Sequence, residues 1–336
     1  MSAALIVHRA GPAVTVQDLG RPGWIAEGLS RGGALDVLAL HEGAALLGQG
    51  ADCAALEMGG TGGTFEATQD CRIALTGAPM RAALDGQRLA WCASHAMPAG
   101  ARLEIGPCEA GMYGYLHVGG GIATKPFLNS RSAHLTARIG APVAAGDRLP
   151  IGDDRGGPVG LTLPIAPRFD GGTLRVVPSY QTGLFADVER TRFAETAFVK
   201  DTRASRMGAR LDPQGGGFHA EGGLSIVSDI ISPGDIQMTG DGAPYVLLAE
   251  CQTTGGYPRI GTVIAPDLPR VVQAPPGSGL RFRFVTLNEG RAAVARFHAD
   301  LGGLRRKAHP LLRDPASIPD LLAYTLIGGV TAGDDL

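Results

Sequence analysis

Glycine constrains this chain more than any other residue: 51 of its 336 positions are glycine, about twice the share of an average protein. The glycines follow no Gly-X-Y period, and 44% of residues are hydrophobic, so neither a collagen-like nor a low-complexity chain fits. Glycine weakens helices and supplies the positive φ that tight turns need. The prediction is therefore a mainly β fold with short helices. The length exceeds the about 250–300 residues at which a single hydrophobic core stops growing, so two compact units are expected. A Gly-, Pro- and Asp-rich stretch from Gly152 to Gly172 is the natural place to divide them. The expected division is a first unit over 1–155, a linker over 156–172, a second unit over 173–305, and an unassigned tail over 306–336.

Local periodicity fills in this outline. Residues 5–7 and 13–16 read as short strands split by a turn at Ala10-Gly11-Pro12. Asp36 is placed to cap a helix over about 37–48, with Val37, Leu40, Ala44 and Leu47 forming one apolar stripe and Gly48 as the stop. Strands follow at 71–76, 102–105 and 113–118, and Asp85-Gly86 signals a hairpin. In the second half, 174–177 and 245–249 read as strands. Residues 280–284 alternate strictly, with Arg281 and Arg283 on one face. A short helix is expected from Asn288 to about Asp300.

Charge and cysteine usage exclude several function classes. Thirty Lys and Arg against 32 Asp and Glu give a net charge of -2, with no long run of either sign, so nucleic acid is not an expected partner. Five cysteines, an odd number without C-x-x-C spacing, read as reduced thiols of a cytoplasmic protein, and no metal site is expected. The first residues lack a basic, apolar leader pattern, and no apolar run is long enough to span a bilayer, so no membrane is expected. The phosphate-binding loop, the dinucleotide fingerprint, H-E-x-x-H and G-x-S-x-G are all absent. The scattered histidines read as core or surface residues. Only three lysines occur, Lys125, Lys200 and Lys307, and none has the Met neighbours of a biotinylated lysine, so no covalently attached biotin is expected. Any anion must be held by arginine and backbone N–H groups.

Three stretches carry more special residues than a scaffold needs. Gln17-Asp18-Leu19-Gly20-Arg21-Pro22-Gly23 with Gly28-Leu29-Ser30-Arg31-Gly32-Gly33-Ala34-Leu35-Asp36 can present backbone donors and a guanidinium to a cavity; equally, it can be a tight turn in which Asp18 bonds local amides and Asp36 only caps the helix. Arg203-Ala204-Ser205-Arg206-Met207-Gly208 offers Arg206 as an anion clamp, or as one end of an inter-strand ion pair. Gln252-Thr253-Thr254-Gly255-Gly256-Tyr257-Pro258 can form a nest for a polar ligand, or a hairpin connection with a Tyr-Pro stop.

Taken in order, these stretches resemble the signatures of the family of 5-oxoprolinase C-type subunits, also described as allophanate hydrolase subunit 2 or biotin-dependent carboxyltransferase-like. Leu75-Thr76-Gly77-Ala78, Val118-Gly119-Gly120-Gly121-Ile122 and Ser130-Arg131-Ser132 continue the match, which covers roughly 5–290. The family pattern carries an acid where this chain has Ser205. The resemblance implies two cyclophilin-like β-barrel domains with a cleft between or beside them. It implies a partner resembling the B-type subunit of 5-oxoprolinase, with a third chain resembling its A-type subunit, and a small-molecule substrate. The activity implied is an ATP-dependent hydrolase that opens 5-oxoproline to glutamate, with ATP bound on the complex or on this chain. Arg206 and Arg21 would hold anions, with Asp18 or Asp36 orienting Arg21. Gln17, Gly32, Gly33, Asp36, Met207, Gly208, Gln252, Thr253, Thr254, Gly255, Gly256 and Tyr257 would line the substrate pocket. The same resemblance also implies two alternatives: a carboxyltransferase chain taking carboxyl groups from biotin on another chain to a urea-like acceptor, and a regulatory partner-binding module without turnover.

Overall fold

The computed structural model describes residues 3–223 and 225–312. In the first half, six strands form one sheet in the order Arg148–Pro150, Ala4–Ala10, Gly63–Ala67, Arg102–Cys108, Met80–Leu84, Gln87–Arg88. The last two are joined through Asp85 and Gly86, both at positive φ (47° and 81°), so the hairpin turn read from the sequence forms. A second sheet runs Val14–Gln17, Ala55–Gly59, Tyr113–Val118, Cys71–Gly77, Ala93–Met97, Leu161–Thr162, His309–Pro310. Leu5, Val7, Phe65 and Leu103 from the first sheet meet Leu56, Met58, Ile73, Leu75 and Leu116 from the second in one core.

The second sheet is covered on its other face by helix α1, Val37–Leu47, packed over Cys71–Gly77 and Tyr113–Val118. Strands buried on both faces lose the apolar–polar alternation, which is why 113–118 is nearly continuous in buried residues. Asp36 caps α1 by accepting from the Ala39 N–H, and Gly48 ends it at φ 67°, as the sequence predicts.

The second half is a closed seven-stranded barrel. Its order is Gly172–Val177, Arg259–Val263, Asp235–Met238, Pro244–Leu247, Gly208–Asp212, Phe198–Ala204, Gly279–Phe284, and the first and last strands close it in parallel. Leu280 and Phe282 point inward while Arg281 and Arg283 stay exposed, the alternation expected from the sequence. Helix α2 (Asp187–Glu195) supplies Phe193, which stacks on Phe282 at 4.7 Å between ring centroids. Neither α2 nor the short α3 (Leu268–Gln273) is legible in the sequence: α2 has almost no apolar periodicity, and α3 is a turn and a half.

Two expectations about the ends of the units change. The helix expected over 288–300 is α4, Leu287–Lys307, started by a capping box between Thr286 and Glu289. It packs on α1 and delivers His309–Pro310 back to Leu161–Thr162 of the first half's sheet, so the start of the expected tail is structured; the rest lies outside the described residues. The stretch expected as a linker is packed as well: Leu161–Thr162 is a strand, and Leu163, Arg168 and Phe169 are buried. Among the described residues no helix is long and apolar enough to cross a membrane.

Candidate functional site

The loop after Val14–Gln17 is held from inside. Asp18 is buried and accepts from the Gly20 N–H (2.8 Å), the Arg131 N–H (2.6 Å) and the hydroxyls of Ser130 (2.6 Å) and Ser132 (2.5 Å). It staples the loop to residues 130–132. Gln17 turns inward, donating to Thr15 Oγ1 and the Ala133 carbonyl. Asp36 is fully buried and accepts from Arg168 Nε and Gln273 Nε2, each at 2.7 Å. Burial works against the Arg168 charge, but Asp36 and Glu42 outweigh it and raise its pKa above the ordinary value. Neither Asp18 nor Asp36 bonds Arg21, so the expected orienting role is not what these carboxylates do. Arg21 itself is buried, donates to the Ser132 carbonyl, and has no partner for Nε or Nη1 among the described residues. Burial lowers its pKa, against the pull of Asp18 and Glu250.

Arg206 forms the ion pair that the sequence left open beside the anion-clamp reading. It sits on the hairpin between Phe198–Ala204 and Gly208–Asp212. Its Nη1 pairs with Glu57 of the first half, its Nε with Glu250, and its Nη2 donates to the Gly33 carbonyl at 2.5 Å. Every guanidinium nitrogen thus has a protein acceptor. Burial opposes these charges, and pairing wins: Arg206 rises above its usual pKa and Glu250 falls below its own. Gly33 takes φ 88°, and a Cβ there would press on the backbone at Gly20 and Leu19; this is how its carbonyl comes to face Arg206. Gly208 has no room for a side chain against Tyr245, and Met207 serves through its carbonyl, which accepts from Leu248 N–H.

Beside this clamp lies a cavity of about 390 Å³ between the halves. Its walls come from residues 28–30 on one side, His134, Thr136 and Ala137 on another, and residues 250–254 on the third. Gln252, Thr253 and Thr254 are among its lining residues. Gly32, Gly33, Gly256 and Tyr257 are not among its lining residues, and Gly255 pairs with Asp229 in a two-stranded sheet. Ser30 Oγ lies 2.9 Å from His134 Nε2; His134 Nδ1 accepts from the Ala137 N–H at 3.2 Å and stands 3.6 Å from Glu250. Glu250 Oε2 accepts from both the backbone and the hydroxyl of Thr136. Burial, aided by Arg21 and Arg206, lowers the His134 pKa in spite of Glu250. A larger depression of about 580 Å³ beside α2 gathers none of the three stretches.

Ser30, His134, Glu57 and Glu250 are site residues that sequence reasoning misses. An acid inside an apolar run, as in Ala55-Leu56-Glu57-Met58 and Leu247-Leu248-Ala249-Glu250, is a usable signal for a buried ion pair. His134 gives no such signal. Among the described residues no group of three or more His, Cys, Asp or Glu is placed to share a metal ion.

The family model described as "Carboxyltransferase domain, subdomain A and B" matches residues 27–284, which includes every wall of the cavity. The chain belongs to the carboxyltransferase domain family, subdomain A and B. Among members of known name, this carboxyltransferase-domain chain is 33% identical over 296 residues to the C-type subunit of 5-oxoprolinase from Haemophilus influenzae, covering 87% of this chain and 94% of that one. It is 34% identical over 293 residues to the C-type subunit of 5-oxoprolinase from Escherichia coli, covering 86% and 94%. A putative urea carboxylase of Emericella nidulans is 27% identical over 332 residues, but the match spans only 26% of that longer protein. Among solved structures, TTHA0988 superposes with a TM-score of 0.77 at 33% identity, over 84% of this chain and 56% of that one, so this chain spans little more than half of it. Kluyveromyces lactis urea carboxylase shares the fold, with a TM-score of 0.79 at 20% identity over 94% of this chain and 31% of that one.

Proposed function

We propose that this chain is the C-type subunit of a 5-oxoprolinase, and that the cavity between its halves receives the small cyclic amide. The observation that carries the reading is the convergence of Ser30, His134, Thr136, Glu250 and residues 252–254 on one polar cavity. The likeness to two proteins named as the C-type chain of 5-oxoprolinase, along 94% of their length, supports it. Hydroxyls and amides suit the carbonyl and carboxylate oxygens of 5-oxoproline, and they act by positioning and charge stabilisation rather than by covalent attack.

Among the described residues no Lys or Arg lines this cavity and Glu250 does, so these residues do not fit a triphosphate. In this reading ATP binds outside this cavity, with a partner chain of B or A type as the proposed holder, and the site is completed by assembly. The Emericella relative motivates a second reading, carboxyl transfer to a urea-like acceptor. The deciding experiment mixes this chain with its B-like and A-like partners and follows glutamate release and ATP hydrolysis, leaving out each chain in turn. Glutamate that forms only when this chain is present supports the proposal. ATP turnover that ignores 5-oxoproline in an associated, folded complex discards it in favour of carboxyl transfer.

A further inference from the structure

We propose that Ser30 is the hydroxyl that contacts the ligand in this cavity, and that His134, held as the Nε2–H tautomer, is the residue that positions it. This rests on the cavity being the substrate site.

A backbone N–H can only donate, so the Ala137 N–H at 3.2 Å makes His134 Nδ1 an acceptor. In a neutral ring the proton then sits on Nε2, which donates to Ser30 Oγ at 2.9 Å. Ser30 is thereby the acceptor of that bond, and its own O–H has no acceptor among the described residues at a position that lines the cavity. The arrangement is the reverse of a nucleophile activated by histidine, in which the serine proton points at the ring. Here the hydroxyl is turned outward as a donor, and its natural counterpart is an acceptor oxygen of a small carbonyl or carboxylate compound.

Arg21 and Arg206 disfavour a charge on the ring and Glu250, 3.6 Å from Nδ1, favours it; the Glu250 oxygens are already taken up by Arg206 and Thr136. Gly32, at φ 62°, leaves the space: a Cβ there would stand 3.0 Å from His134 Cδ2 and 3.4 Å from Arg21 Nη1. A side chain at this position would push the ring off Ser30.

Two arms test the inference. Long-range nitrogen–proton NMR of the full chain labelled in histidine reads the His134 tautomer directly; Nε2–H at neutral pH is expected, and Nδ1–H overturns the inference whatever the substrate. In the assembled complex, Ser30→Ala is expected to raise the KM for 5-oxoproline about tenfold with a smaller change in kcat, the effect of losing one hydrogen bond to ligand. His134→Gln, which keeps an uncharged donor, is expected to stay closer to wild type than His134→Phe. An unchanged KM in a folded Ser30→Ala complex overturns the contact. Should the wild-type complex not turn over 5-oxoproline at all, the proposed function falls, while the tautomer measurement still decides the direction of the hydroxyl.

Discussion

Arg206 reaches from a hairpin of the closed barrel to Glu57 on a strand of the first half, and the ion pair they form joins the two halves with side chains only 11% and 2% exposed. Glu250 completes the clamp from the same side of the cavity. Removing one partner of a buried pair leaves the other charge uncompensated. Arg206→Ala should therefore cost about 3–5 kcal/mol, read as a shift in urea midpoint. Loss of activity with an unshifted midpoint would instead return Arg206 to the role of ligand holder.

His117 lies beneath α1, its Nε2 2.8 Å from Thr76 Oγ1, whose hydroxyl donates to the Ala39 carbonyl. Burial depresses its pKa from 6.5 to about 3. Between those values the unfolded chain takes up a proton that the folded chain refuses, so stability is full above the unfolded pKa and falls as the pH drops. The loss approaches about 1.4 kcal/mol per pH unit. Denaturation midpoints of wild type should fall more steeply with acid than those of His117→Gln; parallel curves would mean that His117 is not the group that titrates.

Gly43 of α1 faces the same ring, and a methyl there would overlap the His117 side chain. Alanine gains about 1 kcal/mol over glycine in a helix, but forced overpacking costs about 1–3 kcal/mol. Gly43→Ala is expected to destabilise the wild-type chain and to become neutral or stabilising beside His117→Ala. Additive effects in that cycle would show that the two sites do not touch.

All five cysteines are free. Burial, the leading cause, pushes the thiols of Cys92 and Cys251 up to about 12 and those of Cys71 and Cys108 to about 11, and it raises Cys53 as well. The thiolate is the reactive form, so a thiol reagent at neutral pH should label the native chain slowly and all five positions quickly once it is unfolded. Rapid native labelling of one position would mark a mobile or exposed thiol.

Local chemistry accounts for what can be read in advance. The Asp85-Gly86 turn, the Asp36 cap and the alternation at 280–284 each depend on a few adjacent residues, and each forms as predicted. The helix from 287 to 307 reads too short in the sequence because its later turns carry few apolar residues, although the capping box at Thr286 and Glu289 marks its start. The resemblance to the carboxyltransferase-like family rests on the same kind of local signal, since its motifs are loops rich in Gly and Asp.

The sequence by itself determined the β-dominated class, the turns that make it possible, and the stretches that mark the family. Only the tertiary structure decided which charges meet. Arg206 finds Glu57 across 149 residues and Glu250 across 44, while Asp36 takes Arg168 from 132 residues away rather than the nearby Arg21. Turn and helix signals arise from backbone geometry within a few positions, whereas the partner of a buried charge is set by where the folded chain leaves an unmatched acceptor or donor. That is why Arg206, which its neighbours left open as a ligand clamp or one end of an ion pair, is a bond between the two halves, and why Ser30 and His134 emerge as part of the polar wall of the cavity.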